Sequence, residues 1–117
     1  MKEIKVVKGD FSDIYKFQRK DKNGIIQSKP KKMWITFKIN ANYKKFVFQK
    51  TLENGIEYNP NDGFYRFRLT PNDTNNINVG TYGFDIAVID ENDEKRTLLN
   101  NGVLIIEEHY THKENEV

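Results

Sequence analysis

The sequence predicts an all-β fold, and three observations carry that prediction. Residues 62–90 hold two stretches of two-residue alternation: Tyr65, Phe67 and Leu69 against Phe64, Arg66 and Arg68, then Tyr82, Phe84, Ile86 and Val88 against Thr81, Gly83, Asp85 and Ala87. Period two is the mark of a strand with one buried face. The aromatic share is high, with eight Phe and six Tyr, and such side chains suit a pleated surface better than a helix. Asn, Asp and Gly recur between the apolar stretches, supplying the turn residues an all-β chain needs.

The link between the two central strands carries its own chemistry. Thr70 stands at a helix N-cap, Pro71 at the first helical position and Asp73 at the third. This is a capping box, in which side chains satisfy backbone N–H groups that have no helical partner. The run Asn78-Val79-Gly80-Thr81-Tyr82 then opens the next strand. A tyrosine just after such a glycine resembles the tyrosine corner of immunoglobulin-like sandwiches, whose phenol bonds back to the upstream backbone. Thr70, Asp73, Gly80 and Tyr82 are therefore structural residues. The predicted architecture is an immunoglobulin-like antiparallel β-sandwich of about seven or eight strands, with one short helical turn between the last-but-two and last-but-one strands.

The remaining elements follow in order. Residues 3–8 alternate, with Ile4 and Val6 on one face, and predict a first strand. A second strand is expected over about 13–20 with Tyr15 and Phe17 inward, and the uneven run 11–14 predicts a bulge before it. Asn23-Gly24 is a turn signal. Residues 33–40 read as a strand with Met33, Ile35, Phe37 and Ile39 on the core face and Trp34 partly exposed on the other. Short strands are expected at 46–50, at a sheet edge, and at 56–58. A polar hairpin loop at 91–94 precedes a final strand that starts at 97–99, is interrupted by a bulge at 100–102 and continues at 103–106. Residues 1–108 form the predicted domain, and the charged segment 109–117 reads as a flexible tail.

Composition narrows the function classes. A chain of 117 residues fits one domain, long enough to bury roughly two-thirds of its unfolded surface. Cysteine is absent, which excludes disulfides and thiolate metal sites. The net charge of +2 is too balanced to require nucleic acid as a partner. No apolar run reaches the roughly 18–20 residues that span a bilayer, and the first residues lack the apolar core of a secretory signal.

His109 and His112 lie in the charged tail, where solvated histidines are the simpler reading than a metal site. Asp10, Asp13, Asp21, Asp62, Asp73, Asp90 and Asp93 recur in loops, but none follows a calcium-loop spacing and each has a turn or cap role open to it. Lys29, Lys31, Lys32, Lys44, Lys45 and Lys50 interleave with Trp34, Tyr43, Phe46 and Phe48. That mixture occurs in single-strand nucleic-acid binders, yet lysines on edge strands serve equally to block aggregation. No phosphate loop, zinc-protease motif or nucleophile elbow is present, so the sequence predicts a protein without enzymatic activity, cofactor or metal. Trp34, Tyr43, Phe46 and Phe48, read as apolar side chains off the core face, are the candidate partner-binding residues.

Taken together, several segments resemble one family. They are Lys8-Gly9-Asp10, Ile35-Thr36-Phe37-Lys38, Asp62-Gly63-Phe64-Tyr65-Arg66-Phe67, Leu69-Thr70-Pro71-Asn72-Asp73-Thr74, Val79-Gly80-Thr81-Tyr82-Gly83-Phe84-Asp85-Ile86 and Thr97-Leu98-Leu99-Asn100-Asn101-Gly102. The pattern is similar to the N-terminal immunoglobulin-like domain of phage baseplate upper proteins and related tail and prophage structural proteins, over about residues 8–106. The resemblance implies a non-enzymatic virion component, made in the host bacterial cytoplasm. It would dock other tail or baseplate proteins and form a homo-oligomer within the assembly, with no membrane partner. The alternative function is a carbohydrate-binding or host-adhesion module.

Overall fold

The computed structural model describes residues 2–40, 42 and 45–108. Tyr43, His109, His112 and the whole segment 109–117 lie outside the described residues. The described residues are all-β apart from one helical turn. Its elements are β1 (Glu3–Val7), β2 (Tyr15–Gln18), β3 (Lys32–Lys38), β4 (Phe48–Thr51), β5 (Glu57–Asn59), β6 (Phe64–Phe67), α1 (Pro71–Thr74), β7 (Gly80–Ile89) and β8 (Lys95–Glu107). They form a five-stranded sheet in the order β1-β8-β7-β3-β4 and a three-stranded sheet in the order β2-β6-β5. All pairings between strands are antiparallel except that of β1 with β8, which is parallel.

Alternation accounts for the core. Met33, Ile35 and Phe37 of β3, Phe84, Ile86 and Val88 of β7 and Leu104 and Ile106 of β8 are all buried. They form one cluster with Ile4 and Val6 of β1 and with Tyr65, Phe67 and Leu69 from the other sheet's side. Rings bridge neighbouring strands: Phe37 stacks on Phe48 at 4.3 Å and meets Phe84 at 5.3 Å. Phe17 and Tyr58 flank Tyr65 at 5.4 and 4.7 Å. The Phe84 ring lies over Gly102, where a Cβ would come within 2.4 Å of it. Glycine is required there by the ring above it.

Several expectations are corrected by the register. Strand β3 ends at Lys38, so Ile39 leaves the core face and is exposed. Strand β2 is shorter than predicted, and Phe11 and Ile14 project into solvent before it. The last strand is one element, and the bulge expected at 100–102 is present. Gly102 pairs with Phe84 and Leu99 with Ile86, so β8 carries one extra residue there, and a second at Leu98 before Thr97 pairs with Ala87.

The connection from β6 to β7 is held by one carboxylate oxygen. Thr70 and Asp73 form the capping box of α1, with Pro71 at its start. The Asp73 oxygen accepts from the Thr70 N–H at 2.7 Å, from the Thr70 hydroxyl at 3.2 Å and from the Lys50 ammonium at 2.6 Å. Lys50 belongs to β4, opposite Ile35, and so points inward. The sequence reading placed it among solvated lysines; it is instead 8% exposed. Gly55 makes this path open. Its φ is +107°, and a Cβ there would lie 2.6 Å from Lys50 Cδ.

This ion pair is much less exposed than those on the surface, at 10% and 17% for its two side chains. Removing the ammonium leaves a shielded carboxylate with one partner fewer, and Lys50→Ala is expected to lower stability by about 1–3 kcal/mol. Lys50→Met, which keeps the aliphatic stem, separates lost packing from lost charge. Urea denaturation of both variants is the measurement, and a loss below about 0.5 kcal/mol in each would rank the pair with ordinary surface pairs.

Candidate functional site

The alternation that builds the core also builds an outer face on the five-stranded sheet. With Met33, Ile35 and Phe37 inward, Trp34, Thr36 and Lys38 of β3 face out, as do Asp85, Ala87 and Ile89 of β7. Trp34 stands between Ala87 of β7 and Thr51 of β4 in the register and is half-buried. Ala87 is itself 7% exposed, so its methyl is covered by larger neighbours on this outer face. A hollow here is lined by Trp34, Gln49, Asp85, Ile89 and Lys95, among others. The Gln49 amide donates to the Thr36 hydroxyl at 2.9 Å, tying β4 to β3 across this face.

A second groove adjoins it, sharing Thr36, Lys38 and Asp85. Its volume is about 260 Å³, and its other lining residues include Asn40, Gly83, Asn100 and Asn101. Sequence reasoning missed this groove. The one available signal is the Asn100-Asn101-Gly102 irregularity, which predicts the bulge but not the groove it walls.

The structure does not gather the four candidate binding residues into one patch. Trp34 is on the outer face. Phe48 is corrected: it pairs with Phe37 in the register, takes the same inward face, and packs against the core. Phe46 is 53% exposed, ahead of β4. Tyr43 lies outside the described residues. Of the structural residues, Thr70 and Asp73 cap α1. Gly80 opens β7 with φ +143°, and the Tyr82 hydroxyl donates to the Asn78 carbonyl at 2.6 Å.

The outer face of the three-stranded sheet differs in kind. Lys16 and Arg66 are directly opposite in the register, an arrangement of like charges that needs relief. Both lie against the Phe64 ring, at 4.8 and 5.6 Å, while Arg68 lies over the exposed Phe11 ring at 4.6 Å. Asp62 supplies the counter-charge: its carboxylate pairs with Arg66 at 2.7 Å and accepts the Phe64 N–H at 2.9 Å. The Arg66 hydrogen bond, followed by that of the Phe64 N–H, holds the Asp62 carboxyl below the usual carboxylate range.

Asp90 plays a similar part at the β7–β8 hairpin. One oxygen accepts the Asn92 and Glu94 N–H groups, each at 2.9 Å, and the other meets Arg96 at 3.3 Å. The backbone bond from Glu94 is the largest cause of its lowered pKa. Among the described residues no group of three or more His, Cys, Asp or Glu side chains could hold a metal ion. No described helix is long and apolar enough to cross a membrane.

No family model, curated protein or solved structure matches this chain.

Because Asp62 and Asp90 bind protons less tightly folded than unfolded, their contribution to stability is complete above the unfolded carboxylate pKa of about 3.9. It is lost as pH falls from there through the depressed folded values. Thermal midpoints measured from pH 7 downward are expected to hold until about pH 4 and then drop. Asp62→Asn and Asp90→Asn should each flatten that acid limb, and an unchanged limb in both variants would refute the assignment.

Proposed function

We propose that this chain is an immunoglobulin-like β-sandwich acting as a non-enzymatic docking module of a phage or prophage tail or baseplate. The finer fold assignment is supported by the strand order. In the immunoglobulin scheme one sheet takes the second, fifth and fourth strands and the other the third, sixth and seventh. Here β2, β6 and β5 make the smaller sheet, and β3, β7 and β8 lie at the centre of the larger one, extended by β4 and by the parallel β1. The Tyr82 bond to the Asn78 carbonyl, four residues upstream, fits a tyrosine corner.

The docking role is supported by the outer face of the five-stranded sheet. Trp34 is the only tryptophan of the chain, and it stands on that face rather than in the shared core. Aromatic anchors set among small and polar neighbours are the side chains that dominate binding energy at protein interfaces. The partner is another tail or baseplate protein, and copies of this chain form a homo-oligomer within the assembly. The family resemblance in the sequence supplies the virion context.

The experiment has two arms. Mass spectrometry of purified, induced phage particles should find the polypeptide at a fixed ratio to the other tail proteins, and its absence from intact particles would remove the structural role. Trp34→Ala should keep the thermal midpoint within a few degrees while reducing incorporation into particles. A variant that simply unfolds would return Trp34 to the core and remove it from the interface.

A further inference from the structure

We infer that the groove floored by Gly83, on the outer face of the five-stranded sheet, is a binding site for a single neutral saccharide ring. The inference is argued from the groove and not from the docking reading, although the groove shares Thr36, Lys38 and Asp85 with the hollow beside Trp34. Gly83 lies in the interior of β7, paired with Lys38 on one side and Val103 on the other. Two reasons commonly explain a glycine, and neither applies. Its φ is not among the positive values that the chain reserves for Gly9, Gly24, Gly55, Gly63 and Gly80. A Cβ on it would meet nothing closer than the Gly102 carbonyl oxygen at 3.9 Å. Gly102, by contrast, is forced by the Phe84 ring. An interior-strand glycine that neither a positive φ nor a crowded Cβ position demands is found beside bulges and where a ligand or another backbone comes close.

The bulge in β8 completes the site. The extra residue at Asn100–Asn101 falls across from Asp85, and both asparagines line the groove. Bulges beside binding sites serve to re-aim side chains in this way. Facing them are Thr36, Lys38, Asn40 and Asp85. Each carboxamide offers both a donor and an acceptor, the carboxylate accepts and the ammonium donates. The Thr36 oxygen already accepts from Gln49 and retains its own proton to donate.

The chemistry selects the ligand class. One negative and one positive side chain balance, so the groove favours neither a phosphate nor a polycation. A dense mixture of donors and acceptors matches adjacent hydroxyl groups, each of which donates and accepts. The volume of about 260 Å³ is below the roughly 300–1,000 Å³ of sites for drug-sized molecules, which suits one ring rather than a chain of them.

The test is a titration of the full, ¹⁵N-labelled chain with glucose, galactose and N-acetylglucosamine, each added alone. At least one sugar is expected to shift the amide signals of Gly83, Asn100, Asn101 and Gly102 with millimolar affinity. Gly83→Val fills the groove from a Cβ that meets nothing closer than 3.9 Å, and should weaken binding at least tenfold while leaving the remaining spectrum unchanged. Asn101→Ala reads the same interaction should the valine variant lose its fold. Absence of shifts with all three sugars, shifts confined to other surfaces, or unaltered binding by the folded variants would overturn the assignment.

Discussion

The architecture depends on a bond between its two halves that passes through one carboxylate oxygen. Lys50 comes from the edge strand of the five-stranded sheet, and Asp73 sits in the turn through which the chain leaves the three-stranded sheet. Their ion pair joins the rim of one sheet to the crossover from the other. The same oxygen closes the capping box with Thr70, so the helical turn and the edge strand are fixed by a shared acceptor. A buried pair is not stabilising by its charges alone, because desolvation offsets attraction. Here the carboxylate is further satisfied by the Thr70 N–H and hydroxyl, and the lysine stem is held in the space that Gly55 leaves empty.

Glycine placement divides structural need from surface design. Gly55 and Gly102 are each set by what lies where a side chain would go, Lys50 in one case and Phe84 in the other. These two positions let large groups converge on the core, and Phe84 then links through Phe37 to Phe48 across neighbouring strands. Gly83 has no such demand upon it. The contrast explains why the inner face is filled by rings while the outer face of the same strands carries a groove.

Much of the fold was legible because a strand with one buried face repeats every second residue. Strands β3, β6 and β7 could be read that way, as could the helical turn from Thr70, Pro71 and Asp73. The errors share a cause: alternation shows which residues share a face, but not which face is inward or how strands pair. Phe48 looked exposed until its pairing with Phe37 put it on the core side. Lys50 looked solvated because a lysine alone carries no signal of a distant carboxylate. Ile39 continued the pattern in sequence but lay beyond the end of the hydrogen-bonded strand. The groove was hidden for a similar reason: its walls come from residues 36–40, 83–85 and 100–102, which only the sheet register brings together.

The position of Lys50 also bears on how a partner would approach. Adding a strand to an open edge requires a run of free backbone groups and a flat apolar flank. Strand β4 is four residues long, and of its two inward side chains, Phe48 and Lys50, one is a charge committed to Asp73. Short edges and inward-pointing charges are the devices by which sheets resist edge pairing. The outer face beside that edge has the opposite character, with Trp34 half-buried between Ala87 and Thr51 and polar groups around it. In the proposed docking role a partner would therefore gain more by covering that face than by pairing with β4. In that arrangement the indole is the contact whose loss should separate binding from folding.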